Sequence, residues 1–311
     1  MKKIIVTGAT SMIGVATIEA AIEHDTEVYA IVRKNTSRMD RLPSSSKVHI
    51  FYGNLDRLEE ITDLPETCDV FYHFAWIGTG KDERDNPTIQ EKNIQYALEA
   101  VRLAKKCGCS RFVFAGSQAE YGTVDGEIDE DTIFSPKTSY GIAKYAAGAL
   151  GKKLCEELGM EHVWGRIFSV YGPHDNDGTM LDYAIKCFEN HETARFSAST
   201  QAWNYLYEGD AGQMFLRLGE DDVLPGTYLI AGNRTRPLKE YIQVLMDSFM
   251  DNVNAEFASE QIITAYGINV NNEKSLKAMA YTPQITFEEG IKKMIDARTS
   301  KNKSGGVSKT L

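Results

Sequence analysis

Residues 3–14 read Lys3-Ile4-Ile5-Val6-Thr7-Gly8-Ala9-Thr10-Ser11-Met12-Ile13-Gly14, and they set the expected architecture of the chain. The β-branched run at the start predicts a buried parallel strand, and a helical pattern follows through about Glu23. A strand, a glycine turn and a helix in this order seat a dinucleotide pyrophosphate on the helix N-terminus. Gly8 is expected to make the tight turn, and Gly14 to let the helix pack closely on the strand. The residues expected to touch the cofactor here are Gly8, Ser11, Met12, Ile13 and Gly14.

The same alternation continues along the chain. Further parallel strands are predicted at 27–32, 48–52, 69–74, 111–115 and 162–168, and long helices at 86–106 and 139–158. This order predicts an α/β fold of the Rossmann type, a doubly wound parallel sheet. Ligands bind outside the carboxyl ends of the strands in such a sheet. The residues that fall at or just past these ends are Gly8, Arg33, Asn54, Ala75 and Ser117.

The regular alternation weakens after Tyr171-Gly172-Pro173. We therefore expect an NAD(P)-binding domain at 1–168 and a smaller C-terminal α/β substrate lobe at 169–297, with an interleaved boundary. The Lys-, Ser- and Gly-rich tail at 298–311 is predicted to be disordered. Within the lobe, helices are predicted near 179–190, 237–250 and 287–297, and an extended segment at 227–230.

Tyr140 and Lys144 carry the expected chemistry. They lie at the start of a predicted helix, where side chains four residues apart are neighbours. A phenol has a free pKa of about 10, and a nearby ammonium lowers that pKa because it stabilises the phenolate. Such a pair can pass a proton to or from an alcohol while a second partner takes its hydride. An amphipathic helix that happens to carry both residues is the alternative.

Composition and charge exclude several classes of protein. The net charge of the 311 residues is −10, which argues against a general nucleic-acid binder, because such proteins show a basic face. No run approaches the roughly 18 apolar residues that a membrane span needs, so no membrane partner is expected. Five scattered cysteines indicate reduced thiols in a cytoplasmic protein, and no metal site is expected.

The end of the second predicted strand bears on the cofactor. It reads Arg33-Lys34, with Arg38 and Arg41 nearby. An acidic residue at this point accepts a hydrogen bond from the adenosine ribose, whereas a basic residue accommodates a 2′-phosphate. NADP is therefore the expected cofactor, and NAD is the alternative.

In this order and spacing, the motifs resemble those of the extended short-chain dehydrogenase/reductase family, in its nucleotide-sugar epimerase and dehydratase branch. The resemblance covers about residues 3–297, and it implies a nucleotide-sugar substrate and a homodimer in which helices 86–106 and 139–158 pair across a two-fold axis. It rests on Thr7-Gly8-x-x-Ser11-x-x-Gly14, Gly53-Asn54-Leu55-Asp56, His73-Phe74-Ala75, Asn93, Ser117 with Tyr121-Gly122, Tyr140-x-x-x-Lys144, Arg166-Ile167-Phe168-Ser169-Val170-Tyr171-Gly172-Pro173, and Tyr281-x-Pro283 with Phe287-Glu288-Glu289-Gly290-Ile291.

The resemblance implies a role for each matching position. Tyr140 is implied to be the acid/base at a sugar hydroxyl or ketone, and Ser117 to hydrogen-bond the reacting oxygen. Lys144 is implied to hold the nicotinamide ribose and to lower the pKa of Tyr140, while Asn93 supports the site from the neighbouring helix. The other implied cofactor contacts are Tyr140 itself, Arg33, Asn54, Leu55, Phe74, Ala75, Trp76, Ile167 and Phe168. The positions implied to shape the substrate pocket are Trp76, Gln118, Ser169, Thr179, Trp203 and Arg236.

Two departures from the family pattern concern the phosphate turn and the catalytic serine. Ser11 replaces the middle glycine, which usually permits close approach to the pyrophosphate. Because a serine hydroxyl can donate to a phosphate oxygen, we expect altered rather than lost binding. Gln118 and Ala119 stand where the 4,6-dehydratases carry an Asp-Glu pair. Elimination of water needs an acid and a base, so this dehydration is not expected.

Two further departures concern the substrate. Thr179 stands where 3,5-epimerase/reductases of the GDP-fucose type place a second acid, and His174 is near but out of register. Trp203-Asn204-Tyr205 replaces the run that carries a diphosphate-binding arginine in many 4-epimerases. Arg234 or Arg236 is expected to supply that charge, or Trp203 to stack on a base or sugar ring.

These observations predict an NADP(H)-dependent oxidoreductase that moves a hydride at one sugar carbon, expected to be C4, as a 4-ketoreductase or a 4-epimerase. The single visible acid/base pair and the basic strand end favour the reductase. Two alternatives stay open. One is a non-catalytic NADP-binding redox sensor, an alternative that Ser11 in place of the middle glycine keeps open. The other is a reductase of a small non-nucleotide carbonyl compound, consistent with the missing diphosphate arginine.

Overall fold

The computed structural model describes residues 1–80, 82–249, 253–259 and 267–305, the last five of these by their main chain alone. In chain order its strands are β1 (Lys3–Thr7), β2 (Glu27–Val32), β3 (Val48–Tyr52), β4 (Val70–His73), β5 (Arg111–Ser117), β6 (Glu127–Ile128), β7 (Glu161–Ile167), β8 (Ser169–Tyr171), β9 (Ala194–Phe196), β10 (Ala202–Tyr207), β11 (Gly226–Ile230), β12 (Thr235–Pro237), β13 (Ala255–Phe257) and β14 (Asn269–Val270). Its helices are α1 (Met12–Glu23), α2 (Pro87–Lys106), α3 (Ser139–Leu158), α4 (Met180–Glu189), α5 (Glu208–Leu218), α6 (Leu238–Asp247), α7 (Glu273–Ala278) and α8 (Phe287–Gly305).

Seven of the strands form one parallel sheet in the spatial order β11-β7-β5-β4-β1-β2-β3. β4 and β5 are buried along their whole length, as the inner strands of a sheet covered on both faces must be. The strand order reverses between β1 and β4, so the crevice outside their carboxyl ends is the topological switch point where ligands bind. The predicted Rossmann-type fold is confirmed.

Two helical layers cover this sheet. α1 and α5 pack against each other on one face, and α2 and α3 pack against each other on the other. Glycines allow α3 to approach closely, since a Cβ on Gly148 would lie 2.2 Å from the ring of Trp164, and one on Gly141 would lie 2.3 Å from the carbonyl oxygen of Ala119. Packing against the core accounts for these two glycines.

A smaller group of elements follows β7. α4, α6 and α8 share an apolar core with β8, β9 and β10. β8 begins two residues after the carboxyl end of β7, so this group of elements connects directly to the ligand-binding edge of the sheet.

Three of the differences from the sequence-based expectation concern the central sheet and the helices that cover it. Ser117 is the last residue of β5, which runs two residues further than the strand predicted at 111–115. The extended segment at 227–230, expected in the lobe, forms β11 at the edge of the central sheet, where it pairs with β7. α5 was not predicted, because Gly209 and Gly212 in its first turns are poor helix formers. The division at residue 168 stays a prediction, with α5 and β11 as its interleaved parts.

The C-terminal helix is longer than expected. α8 runs to Gly305, whereas a disordered tail was predicted from 298. Arg298 also pairs with the buried Asp182, and extending an existing helix needs no new nucleus. Residues 306–311 of the predicted tail lie outside the described residues. Among the helices described, none combines the length and apolar composition needed to cross a bilayer.

Candidate active site

The turn after β1 brings the backbones of two strands together. Gly8 has a φ of 68°, and a Cβ there would lie 2.6 Å from the backbone nitrogen of Ala75. A Cβ on Gly14 would lie 2.3 Å from the carbonyl oxygen of Gly8. Both positions therefore need glycine, the first for the turn and the second for the close packing of α1.

Ser11 is the N-cap of α1. Its hydroxyl oxygen accepts a hydrogen bond from the N–H of Gly14 at 3.1 Å, which leaves the hydroxyl hydrogen able to donate. The N–H groups of Met12 and Ile13 lie in the first turn, where the helix offers no carbonyl partner. The positive end of the helix dipole lies at the same place. This set of donors fits the diphosphate of a dinucleotide.

A cleft of about 990 Å³ opens over this turn. It runs past the carboxyl ends of β1, β2, β3 and β4, as the fold predicts. Among the predicted cofactor contacts, Ile13, Gly14, Asn93, Tyr140 and Lys144 do not line it. Those that do are Gly8, Ser11, Met12, Arg33, Asn54, Leu55, Phe74, Ala75 and Trp76.

Ile167 and Phe168 do not line the cleft. The N–H of Phe168 donates to the carbonyl of Ile230 at 3.1 Å. Its ring is buried and packs with Tyr121 in a separate apolar cluster. The implied contact of Phe168 with the cofactor is therefore not seen, because the chain turns at this point to begin β8.

Several residues that line the cleft were not among the predicted cofactor contacts, although Arg38 was noted as a basic neighbour of Arg33. The segment after β2 adds Thr36, Ser37 and Arg38, and the lobe adds Asn176. The guanidinium of Arg38 donates to the side-chain oxygen of Asn176 at 3.2 Å. Arg41 donates to the carbonyl of His174 at 2.8 Å. These two bonds join the segment after β2 to the segment after β8 beside the cleft, and no local sequence signal marks residues so far apart.

The structure brings the predicted catalytic residues together. Ser117 ends β5 and Tyr140 is the second residue of α3, whose N-cap Thr138 accepts from the N–H of Gly141 at 3.1 Å. The Ser117 hydroxyl lies near enough to the Tyr140 phenol to favour its deprotonated form. The Nζ of Lys144 lies 5.9 Å from the centre of the Tyr140 ring. One hydroxyl, one phenol and one ammonium thus meet at the carboxyl end of β5.

The Lys144 ammonium is bound to a backbone carbonyl and lies against an aromatic ring. Its Nζ donates to the carbonyl of Ala115 at 2.8 Å and lies 3.9 Å from the centre of the Trp76 ring. The side chain is 4% exposed, and this burial lowers the pKa of Lys144 to about 7, with Glu120 opposing the shift and Arg84 adding to it. The lysine can therefore exchange a proton near neutral pH.

Tyr140 does not show the predicted lowering of its pKa. Burial raises the pKa of the phenol above its ordinary value, and the charge of Glu120 adds to that rise. Arg84 and the nearby Ser117 hydroxyl oppose it. Lys144 does not supply this stabilisation, since its ammonium is directed at a carbonyl and at the Trp76 ring.

Hydrogen bonds of Trp76 and Asn93 hold the loop after β4 against α2. The indole N–H of Trp76 donates to the side-chain oxygen of Gln90 at 2.9 Å, and its ring meets Tyr140 edge-on. Asn93 accepts from the N–H of Ile77 at 2.9 Å and donates to the carbonyl of the same residue at 3.0 Å. Asn93 thus holds the loop after β4 rather than facing the cleft, consistent with the implied supporting role.

A buried ion pair lies behind Ser117. One Glu120 carboxylate oxygen accepts from the backbone N–H of Ser117 at 2.7 Å, and the other accepts from Nε of Arg166 at 2.6 Å. Both side chains are at most 1% exposed. The Arg166 guanidinium lies against the rings of Phe134 and Trp164. Sequence reasoning missed this pair, because a glutamate and an arginine 46 residues apart carry no joint signal.

The candidates for a second acid are engaged elsewhere. The Thr179 hydroxyl donates to Asp175 at 3.0 Å and caps α4. The imidazole of His174 hydrogen-bonds Glu208 at 2.7 Å. Burial raises the pKa of Asp175 to about 6. The hydrogen bonds to Asp175 and Glu208 thus engage Thr179 and His174, and neither bond involves Tyr140.

The remaining substrate candidates occupy the lobe and the turn after β5. Arg236 donates to Glu288 at 2.9 Å and lies over the Tyr241 ring. Together with Arg234 it lines a second, smaller cavity of about 110 Å³. Trp203 pairs with Arg236 across β10 and β12, and Ser169 pairs with Tyr205 across β8 and β10. The side-chain oxygen of Gln118 is buried and has no protein partner among the described residues.

Comparison with known proteins connects this geometry to a family. The sequence model of the "NAD dependent epimerase/dehydratase family" matches residues 4–231. That range contains the glycine turn after β1, the candidate catalytic residues and, apart from Lys3, all seven strands of the central sheet.

Individual relatives are similar at low identity over almost the whole chain. A putative UDP-glucose 4-epimerase of Methanocaldococcus jannaschii is 23% identical over 97% of this chain and 100% of its own length. A dTDP-4-dehydro-6-deoxyglucose reductase of Escherichia coli is 21% identical over 94% of this chain and 96% of its own. The structure of a UDP-N-acetylglucosamine 4-epimerase from Methanobrevibacter ruminantium M1, in complex with UDP-N-acetylmuramic acid, superposes with a TM-score of 0.85 at 20% identity, over 96% of this chain and 99% of that one.

Proposed function

Because the chain belongs to the NAD-dependent epimerase/dehydratase family, we propose that it transfers a hydride between a nicotinamide cofactor and one carbon of a nucleotide-activated sugar, C4. The observation that carries the proposal is the meeting of Ser117, Tyr140 and Lys144 next to Trp76, a residue that lines the dinucleotide cleft. The hydroxyl of Ser117 holds the reacting sugar oxygen, and the phenol of Tyr140 gives or takes its proton. When bound, the cofactor supplies or accepts the hydride.

The site supports simple oxidation and reduction at one carbon. Dehydration and 3,5-epimerisation both need a further proton donor or acceptor. Glu120 is committed to the ion pair with Arg166, Thr179 to Asp175, and His174 to Glu208. With one proton-transfer pair in place, net reduction of a 4-keto sugar is the reaction that this geometry fits best.

A 4-epimerase is the second candidate, and one observation favours it. Arg38 and Arg41 hydrogen-bond Asn176 and the carbonyl of His174, so contacts between the two parts of the chain stand beside the cofactor cleft. An epimerase regenerates its cofactor in each cycle and benefits from holding it. Two of the similar proteins described above are named as 4-epimerases.

The cofactor of the family is NAD, and we propose a preference for NADP in this chain. Arg33 and Arg38 line the cleft together with the hydroxyl residues Thr36 and Ser37. The N–H of Thr36 donates to the carbonyl of Arg33 at 3.1 Å, so a turn presents these side chains past the end of β2. Guanidinium and hydroxyl donors are the groups that a 2′-phosphate attracts.

The nucleotide sugar is proposed to extend from Tyr140 towards the lobe. Arg236 is tied to Glu288, whereas Arg234 is exposed and lines the same small cavity. We therefore assign the cation for the sugar's diphosphate to Arg234, supported by Arg236. Trp203 is proposed to stack on a ring of the substrate, and Gln118, Ser169 and Thr179 stay proposed pocket residues.

The assembly and location are also proposed. α3 exposes Ile142, Tyr145 and Leu150, and α2 packs beside it. Pairing of these two helices with a second copy would cover that apolar surface, so we propose a homodimer. The five cysteines are all free and buried, which supports a reducing, cytoplasmic location.

The test is turnover on a defined panel. Purified protein is incubated with 4-keto and 4-hydroxy nucleotide sugars, and NADPH and NADH absorbance is followed while products are separated by chromatography. A ketoreductase consumes reduced cofactor with a 4-keto sugar, and an epimerase interconverts two 4-hydroxy sugars without net consumption. Small aldehydes and ketones serve as the comparison substrates. If the protein binds cofactor but turns over no nucleotide sugar, while Tyr140→Phe behaves identically, the proposed function is wrong.

A further inference from the structure

The loop between β4 and α2 places an arginine directly on the catalytic tyrosine. The guanidinium carbon of Arg84 lies 4.2 Å from the centre of the Tyr140 ring, closer than the Lys144 ammonium at 5.9 Å. A cation over the face of an aromatic ring is attracted to it. Deprotonation adds negative charge to the ring, so the same cation favours the phenolate over the phenol.

This placement is built into the loop. Asp85, the next residue, accepts from the backbone N–H of Ser139 at 2.7 Å, and its carbonyl accepts from the Ser139 hydroxyl at 3.1 Å. Arg84 precedes Asp85 in the chain and Tyr140 follows Ser139. The two hydrogen bonds between Asp85 and Ser139 therefore hold Arg84 and Tyr140 close together. The N–H of Arg84 donates to the carbonyl of Gly80 at 2.9 Å. Gln90 of α2 holds the rest of the loop by donating to the carbonyls of Gly78 and Glu83.

The charges around Tyr140 leave Arg84 as the cation that acts on it. Glu120, behind Ser117, is paired with Arg166 and disfavours the phenolate. Lys144 donates to the carbonyl of Ala115. Asp85 is committed to Ser139. In the part of the chain that the structure describes, Arg84 itself makes no ion pair within 4.0 Å, so its charge is not neutralised by a carboxylate.

We propose that Arg84 is a positioning residue that stabilises the phenolate of Tyr140 during proton transfer, a role that the sequence motif assigns to Lys144. The inference rests on the proposed function for its kinetic part. The direction of the Tyr140 pKa supports it independently, because Arg84 is the largest influence that lowers that pKa against burial.

The experiment compares Arg84→Gln, Arg84→Lys and a control, Arg102→Gln, which removes the same charge from an exposed position of α2 that pairs with Glu99. The first readout needs no substrate. Protein labelled with ¹³C at the tyrosine Cζ is titrated by NMR, and Tyr140→Phe identifies the Tyr140 resonance. Arg84→Gln should raise the pKa of Tyr140. Arg84→Lys should keep that pKa close to its wild-type value, and the control should leave it unchanged.

The second readout is the pH profile of turnover in the oxidation direction. Below the Tyr140 pKa, Arg84→Gln should lower turnover about two- to fivefold, the equivalent of an exposed cation–π contact, and raising the pH should recover it. An unchanged Tyr140 titration in Arg84→Gln overturns the inference. So does a rise in KM without a change in kcat or in the pH profile, which assigns Arg84 to substrate binding instead. If the titration shifts while wild-type protein turns over no nucleotide sugar, the inference stands and the proposed function fails.

Discussion

Replacing Glu120 with glutamine tests how the fold supports Ser117, the proposed catalytic serine. Glutamine keeps the size of the side chain and an oxygen that can accept from the N–H of Ser117, but it removes the charge facing Arg166. The Arg166 side chain is 1% exposed, and its Nη1 already has no partner among the described residues. Glu120→Gln would therefore leave an arginine charge buried without an anion.

The size of the effect follows from this burial. Breaking a buried ion pair on one side costs about 3–5 kcal/mol. The faces of Phe134 and Trp164 lie 4.0 and 4.3 Å from the guanidinium carbon and offset part of that loss, so we expect about 3 kcal/mol. For a chain of 311 residues, an unfolding entropy of about 2.1 cal/mol/K per residue converts this to a Tm lower by roughly 5 °C.

The assay is urea and thermal unfolding followed by circular dichroism, with two comparison proteins. Glu256→Gln removes one partner of the exposed pair with Arg195 and should cost about 0–1 kcal/mol. The double variant Glu120→Gln/Arg166→Met removes both buried charges and should be more stable than Glu120→Gln alone. If Glu120→Gln is no less stable than Glu256→Gln, or the double variant is the least stable of the three, the assigned role of the buried pair is wrong.

Three further predictions concern the cofactor and the chemistry. Tyr140→Phe removes one oxygen, so cofactor binding should persist while turnover falls roughly 10²–10⁴-fold; near-normal NADPH-linked turnover would contradict the mechanism. Burial lowers the pKa of Lys144 to about 7 in the folded protein, whereas the unfolded chain keeps this proton up to the ordinary lysine pKa. The free energy of unfolding of the wild type should therefore gain from this group as pH rises from about 7 towards that ordinary value. Lys144→Met should remove that gain in urea titrations at several pH values, and an unchanged pH dependence would refute the assignment. Arg33→Asp puts a carboxylate where a 2′-phosphate is proposed and should weaken NADP binding relative to NAD in calorimetric titration; tighter binding of NAD by the wild type would show that Arg33 does not bind a phosphate.

Local sequence patterns were sufficient for the frame of the molecule. The strand at 3–6, the glycine turn and the helix from Met12 are recognisable because periodicity, β-branching and glycine each act over a few residues. The requirement for glycine at positions 8 and 14 is likewise readable from the motif, and the structure supplies the reason in the contacts that a Cβ would make. The order of these units along the chain was enough to predict the parallel sheet and the edge where its ligand site lies.

Elements with weak local signals needed the tertiary structure. α5 begins with glycines at 209 and 212, and it is helical because its apolar face packs against α1. β11 is a short run that could belong to either part of the chain, and its pairing with β7 decides that it extends the main sheet. Propensity is a weak preference, and packing overrides it.

The sequence alone determined which residue types could carry the reaction, and it brought Ser117, Tyr140 and Lys144 into one hypothesis. Only the tertiary structure decided their electrostatic surroundings: Arg84 lies on the Tyr140 ring, Lys144 donates to a backbone carbonyl, and the pKa of the phenol is raised rather than lowered. The physical reason is the range of the interactions. Helix and strand patterns depend on neighbours along the chain, whereas burial and charge depend on groups that only the completed fold brings together.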